Sequence, residues 1–331
     1  MTPRAAIVGI SGTTLTAEEA ALFRRERPVG AILFARNVAD PVQLATLNAS
    51  IRDILGADAP ILVDQEGGRV ARLRPPHWAA HPPANVFEGR PEAAAEANAA
   101  LLGMACAAAG FDVVCAPVLD LRLPGAHDVI GDRAFSDDPV EVARLGAAWV
   151  RGLQVAGCVP VIKHIPGHGR ATVDSHESLP RVGCDRAMLE ADIAAFRPLA
   201  GCDAWAMTAH ILYDCLDPKR PATLSRIVIE EVIRRDIGFD GVIVSDDLAM
   251  GAVAGTSNRL AEEAIEAGCD LVLHCTGRLD ETAAVLSSCP RVSDASAARM
   301  AAAKRAVQRA RRPLDSSALL AMRDGALASA A

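Results

Sequence analysis

Eight short apolar runs recur along this chain of 331 residues, and segments of helical period alternate with them. The runs cover 5–10, 30–35, 60–64, 113–119, 159–165, 204–210, 241–245 and 271–275. They are rich in Val, Ile and Ala and mostly uninterrupted by polar residues, the pattern of strands buried on both faces in a parallel sheet. The helical segments cover 17–25, 42–55, 92–109, 140–155, 186–199, 225–237, 258–267 and 293–312. Strand–helix alternation repeated eight times predicts a single (β/α)8 barrel of the TIM type, in the α/β class. A doubly wound sheet is the rival. Its Gly-rich phosphate turn is absent after the first run, where Gly9-Ile10-Ser11-Gly12 does not match.

Segment 225–237 illustrates the local logic. Ser225 is a good N-cap. Val228, Ile229, Val232 and Ile233 repeat at three- and four-residue spacing on one face, opposite Glu230, Glu231, Arg234 and Arg235. Gly238 suits the left-handed turn that ends such a helix. The Pro-rich stretch 75–83 reads as a long loop after the third strand rather than a linker. One catalytic domain is expected over 1–315, followed by a loosely ordered Ala-rich tail over 316–331.

Composition narrows the function classes. Hydrophobic residues make up 51% of the chain and aromatics only 3%, so the core must be Ala, Val, Leu and Ile. The net charge is -7, and the one basic cluster, 304–312, lies on an Ala-rich helical pattern and reads as a solvated face. No nucleic-acid partner is expected, because a basic face with interleaved aromatics is missing. The nine cysteines are scattered without a CxxC, which fits reduced thiols in a cytoplasmic protein. The apolar run at the start is too short for a signal sequence or a membrane span, so no membrane partner is expected.

Lys163-His164-Ile165-Pro166-Gly167-His168-Gly169 and Asp174-Ser175-His176 place one Lys, three His and one Asp within fourteen residues. Unpaired charge is costly in a core, so this density marks the rim of an active site at a strand end. Asp174 lies two residues before His176. In an extended segment the two share a side, where the carboxylate can orient the imidazole and raise its basicity for general acid/base work near neutral pH. A zinc site at His164, His168 and His176 is disfavoured, because the spacing matches none of the usual zinc patterns. No metal is expected.

The other strand ends add to this face. The third gives Asp64-Gln65-Glu66-Gly67-Gly68-Arg69, with Arg72 beyond; Asp64 and Arg72 suit hydroxyl binding, and Arg69 suits an ion pair with Glu66. The fourth leads to Asp120 and a loop holding Arg133, the sixth ends at His210, and the eighth at His274. The seventh ends in Ser245-Asp246-Asp247. Strand alternation lets only one of that Asp pair point into the barrel mouth, and periodicity does not say which. Converging charge of this kind suits a polar small-molecule pocket.

The motifs DQEGGRV, APVLD, IGDRAFS, KHIPGHG, DSH and SDDLAM, taken in that order, resemble the bacterial β-N-acetylglucosaminidases (β-hexosaminidases) of glycoside hydrolase family 3, the NagZ type. The resemblance runs from about residue 29 to 274. It implies a retaining exo-hydrolase of terminal β-linked N-acetylglucosamine. Asp246 would be the nucleophile, His176 the acid/base supported by Asp174, and Asp64, Arg72, Arg133, Lys163 and His164 the residues that hold the sugar. No cofactor is implied. The family further implies a cytoplasmic enzyme acting on a small-molecule substrate, GlcNAc-1,6-anhydroMurNAc peptides released in cell-wall recycling; a monomer is expected. Most retaining glycosidases use two carboxylates; an Asp–His pair would replace one of them here. Two rivals keep an enzyme at this face. One is a phosphorylase on the same sugar. The other is a lyase or aldolase with a Schiff base at Lys163, which requires a depressed amine pKa.

Overall fold

The computed structural model describes residues 2–174, 178–183, 185–253 and 255–329. Eight parallel strands close into a barrel in chain order: β1 (Arg4–Gly9), β2 (Pro28–Leu33), β3 (Ile61–Val63), β4 (Val113–Val114), β5 (Val159–Ile165), β7 (Trp205–Thr208), β9 (Ile243–Asp247) and β10 (Leu271–His274), with β10 pairing back to β1. Two further short strands, β6 (Arg181–Val182) and β8 (Leu212–Tyr213), form a small parallel sheet of their own. The strands are buried because helices cover the outside and side chains fill the inside. The TIM-type expectation is met at every one of the eight runs.

The fourth run is shorter as a strand than the sequence suggests. Regular pairing covers Val113–Val114, with one more bridge at Val118 against Lys163. Pro117 has no N–H to donate to a ladder, which breaks the regular pattern between them. The outer helices are α1 (Ala17–Glu26), α2 (Pro41–Leu55), α3 (Glu92–Ala108), α4 (Pro139–Ala156), α5 (Arg186–Phe196), α6 (Ser257–Ala267), α7 (Leu279–Ser288) and α8 (Asp294–Ala310). Helix α7 is absent from the sequence-based assignment, where its apolar residues are too sparse to stand out.

Segment Ile227–Asp236 is wound as a π-helix, with Ile237 N–H donating to the Val232 carbonyl five residues back at 2.8 Å. The expected inward face holds: Val228, Ile229, Val232 and Ile233 are all buried. Ser225 accepts from Val228 N–H at 3.3 Å while donating to Asp217 at 2.7 Å. Beyond the barrel, Ser316–Ala328 is a ninth helix, α9, where the sequence suggested a loosely ordered tail. It lies against α3, and Arg323 reaches Asn98 at 3.4 Å. None of its residues is fully buried, so the helix is attached to the barrel rather than part of its core.

The core is aliphatic, as the composition requires. Its largest aromatic contact is Trp149, met edge-on by Phe87 and Phe135 at centroid distances of 5.6 and 5.5 Å. The described cysteines are free. Among the described residues no helix is long and apolar enough to cross a membrane.

Candidate active site

The barrel mouth holds a cavity of about 190 Å³ at the C-terminal ends of the strands. Asp64, Glu66 and Arg72 reach it from the segment after β3, Arg133 from a tight turn at Gly131–Arg133, Lys163 and His164 from β5, and Asp246 and Asp247 from β9. Ile32, Met207 and Leu273 supply apolar wall. Six of the eight site residues named from sequence therefore share one pocket: Asp64, Arg72, Arg133, Lys163, His164 and Asp246. His176 lies outside the described residues. Asp174 is described and half-buried, with its carbonyl accepting from Ser178 N–H at 3.1 Å, but it does not line this cavity.

Charge inside the pocket is arranged as an interlocked set. Lys163, only 3% exposed at its side chain, lies 3.2 Å from Asp64 and 2.7 Å from Glu66. Glu66 also takes a two-pronged contact from Arg133, at 2.8 and 2.9 Å. Arg72 pairs with Asp64 at 3.1 Å and faces the Phe34 ring, its guanidinium carbon 5.6 Å from the centroid. Burial alone would raise the carboxyl pKa values of Asp64 and Glu66. The neighbouring cations outweigh it and hold both below the usual range. Burial likewise works against the Lys163 ammonium, but Glu66 and Asp64 push its pKa above the ordinary lysine value. An amine held charged in this way is a poor nucleophile, which removes the basis for a Schiff base at Lys163.

Asp246 and Asp247 differ in their hydrogen bonds. Asp247 ties down backbone: its carboxylate accepts from Ala249 N–H and Cys275 N–H, each at 3.0 Å. Among the described residues the Asp246 carboxylate accepts only a local N–H, that of Asp247 at 2.8 Å. Burial raises its carboxyl pKa, but His210, His164, the Asp247 N–H and Lys163 together bring it below the usual range. The result is an ionised carboxylate with a face largely uncommitted among the described residues, in a polar cavity, which suits a nucleophile. Both Asp246 and Asp247 are among the residues that border the cavity.

The loop after β5 is shaped by close approach. Gly167 has φ +137°, and a Cβ there would lie 2.6 Å from Asp192 Cβ. At Gly169 a Cβ would collide with the Leu121 carbonyl. Tyr213 O–H donates to the Gly167 carbonyl at 2.7 Å, which ties the small β6–β8 sheet to the start of this loop. Buried His168 has its imidazole pKa lowered to about 4, first by burial and then by His164. It is neutral at physiological pH.

Residues 8–312 match the glycosyl hydrolase family 3 N terminal domain. The chain is 43% identical over 282 residues to a beta-hexosaminidase of Alkalilimnicola ehrlichii, covering 81% of this chain and 80% of that one. It is 41% identical to a beta-hexosaminidase of Pseudomonas aeruginosa over 82% of each. It belongs to glycosyl hydrolase family 3. The fold agrees: NagZ from Neisseria gonorrhoeae, solved in complex with N-trifluoroacetyl-D-glucosamine, superposes with a TM-score of 0.87 at 34% identity, over 100% of this chain and 99% of that one. A longer family 3 β-N-acetylglucosaminidase from Paenibacillus sp. superposes with a TM-score of 0.82, and this chain spans 62% of it. The protein is a glycoside hydrolase of the bacterial β-hexosaminidase type.

Some parts of this candidate site were misread or missed in the sequence. Arg69 does not pair with Glu66; it meets Asp132 at 2.9 Å and Asp128 at 3.6 Å on the outer rim, because Arg133 and Lys163 already occupy Glu66. His274 faces away from the cavity toward Thr276, at 3.1 Å, and Glu281. The central place of Glu66, between two cations that line the pocket, was missed. Its signal was available: Asp64 and Glu66 are two apart at a strand end, a spacing that allows both to reach one side. His210, behind the Asp pair, is held by Thr223 at 2.7 Å and the Asp247 carbonyl at 3.0 Å.

Proposed function

We propose that this chain is a retaining exo-β-N-acetylglucosaminidase that removes terminal β-linked N-acetylglucosamine. The observation that carries the proposal is ionised Asp246, with an uncommitted face, in a cavity lined by Asp64, Arg72, Arg133, Lys163 and His164. In the first step Asp246 attacks the anomeric carbon while His176, as imidazolium, protonates the departing oxygen. In the second, neutral His176 takes a proton from water, and that water opens the glycosyl-aspartate. Asp174 stabilises the imidazolium in both steps. Asp64, Arg72, Arg133, Lys163 and His164 hold the sugar by its hydroxyl and acetamido groups. No metal or organic cofactor enters this cycle.

The β-hexosaminidase relatives and the likeness to a NagZ solved with an N-acylglucosamine support N-acetylglucosamine as the sugar. We extend this to GlcNAc-1,6-anhydroMurNAc and its peptides as substrate, in cytoplasmic peptidoglycan recycling by a monomer whose catalytic unit is 1–315. The test is release of 4-nitrophenol from 4-nitrophenyl β-N-acetylglucosaminide by wild type and Asp246→Ala, with the first-formed anomer read by NMR. Turnover to the β-anomer, lost by several orders of magnitude in the variant, supports the proposal. An inactive wild type, or an α-anomer formed first, overturns it. Formation of N-acetylglucosamine 1-phosphate when phosphate is added would make the enzyme a phosphorylase instead. Digestion of purified anhydromuropeptide, with and without peptide, tests the substrate.

A further inference from the structure

One buried carboxylate plays no part in the chemistry above, yet it touches the site at three points. Asp120, at 0% exposure, follows β4 and lies behind the cavity wall rather than on it. Its Oδ1 accepts from the backbone N–H of His164 at 3.1 Å and of His168 at 2.6 Å. Its Oδ2 lies 2.6 Å from His164 Nδ1. No other carboxylate among the described residues meets both the strand that carries Lys163 and His164 and the loop that leaves it.

We propose that Asp120 is a positioning residue that fixes the proton of His164 on Nδ1 and so presents Nε2 to the bound sugar. The chemistry is direct. An ionised carboxylate is only an acceptor, so the ring nitrogen facing it must carry the proton. Burial raises the Asp120 pKa, but His164, then the His168 ring and the His168 N–H, bring it below the usual range, so it is ionised at neutral pH. The His164 ring lines the cavity and its Nδ1 edge is taken by Asp120. Nε2 is then the nitrogen available to a hydroxyl. Through Oδ1 the same carboxylate holds the backbone on either side of the Pro166 turn, so ring orientation and loop origin share one anchor. The inference rests on the sugar-binding role proposed for His164.

Asp120→Asn separates these parts. A single amide oxygen can keep both backbone N–H bonds at the Oδ1 position. The amide NH2 then faces His164 Nδ1 as a donor, and the ring must answer with the Nε2–H tautomer. The variant keeps the backbone clamp and changes which ring nitrogen is protonated. Misdirecting a substrate-positioning group typically costs about 100-fold, so kcat/KM on the 4-nitrophenyl substrate should fall by about 10²-fold.

The experiment is a double-mutant cycle with His164→Ala, read beside the tautomer of His164 in 15N-histidine-labelled protein, its signal assigned by its absence from His164→Ala. Wild type should show Nδ1–H and Asp120→Asn should show Nε2–H. In the His164→Ala background, Asp120→Asn should change kcat/KM by less than about threefold, because a residue acting through another loses its effect when that other is gone. Equal losses in both backgrounds would mean that Asp120 is merely structural and would overturn the proposal. An Nε2–H tautomer in wild type overturns it too, and this reading stands even if Asp120→Asn fails to fold. The NMR result does not depend on turnover, so failure of the proposed glycosidase activity would show separately, as an inactive wild type.

Discussion

Replacing Glu66 by Gln removes one negative charge from the most crowded electrostatic contact in the pocket while conserving volume. Glu66, 6% exposed at its side chain, faces Arg133 at 2.8 Å and Lys163 at 2.7 Å. In the variant an amide NH2 confronts one of these cations, and Lys163 keeps Asp64 as its one carboxylate partner among the described residues, at 3.2 Å. Breaking a buried ion pair by removing one partner costs about 3–5 kcal/mol. With about 2 cal/mol/K of unfolding entropy per residue, each kcal/mol lowers the melting temperature of a chain this long by about 1.4 °C. The expected drop is therefore about 4–7 °C near pH 7. The pH dependence has a definite sign. The folded pKa of Glu66 lies well below its ordinary 4.5, so its contribution is fully present above about pH 4.5 and is lost as pH falls toward the folded value. The gap between wild type and Glu66→Gln should hold constant from pH 8 to about 5 and narrow below that. Urea unfolding and thermal melts at several pH values measure it. A variant within 1 °C of wild type at pH 7, or a gap that widens on acidification, would refute the account of Glu66 as a net stabilising hub.

Four further outcomes are expected. Gly169→Ala should destabilise by about 1–3 kcal/mol, since its Cβ meets the Leu121 carbonyl rather than a side chain that can move; chemical denaturation reads this. His168, with a folded pKa lowered to about 4 from 6.5, contributes stability that is present above about pH 6.5 and lost as pH falls through 4, so His168→Gln should flatten the stability profile between pH 6.5 and 4. Borohydride with carbonyl compounds should leave Lys163 unlabelled by mass spectrometry, because its ammonium is held charged by Glu66 and Asp64. Truncation after Asp315 should retain kcat/KM within a few-fold, because α9 has no fully buried residue; loss of soluble protein would show that the helix belongs to the folding unit.

The sequence by itself determined the architecture. Eight apolar runs separated by helical periods leave a parallel barrel as the economical way to bury them, and strand C-termini are where such a barrel concentrates polar side chains. That is why the strand ends could be read as a polar site before any coordinate was known, while the sugar-holding set Asp64, Arg72, Arg133, Lys163 and His164 and the choice of Asp246 came from the resemblance of the motifs to glycoside hydrolase family 3. Periodicity reports direction along one element. It does not report which neighbours meet across elements. Glu66 was assigned to nearby Arg69, yet it pairs with Arg133, sixty-seven residues away, and with Lys163 across the mouth. Asp120 looked like a strand-end acid, and only the packing of β4 beside β5 brings it to His164 Nδ1. Asp246 and Asp247 were indistinguishable by alternation, and only the tertiary structure shows that Asp247 is tied to the Ala249 and Cys275 N–H groups. Charge pairing is a three-dimensional competition among all partners within reach, so its outcome is fixed only when the strands have closed into the barrel.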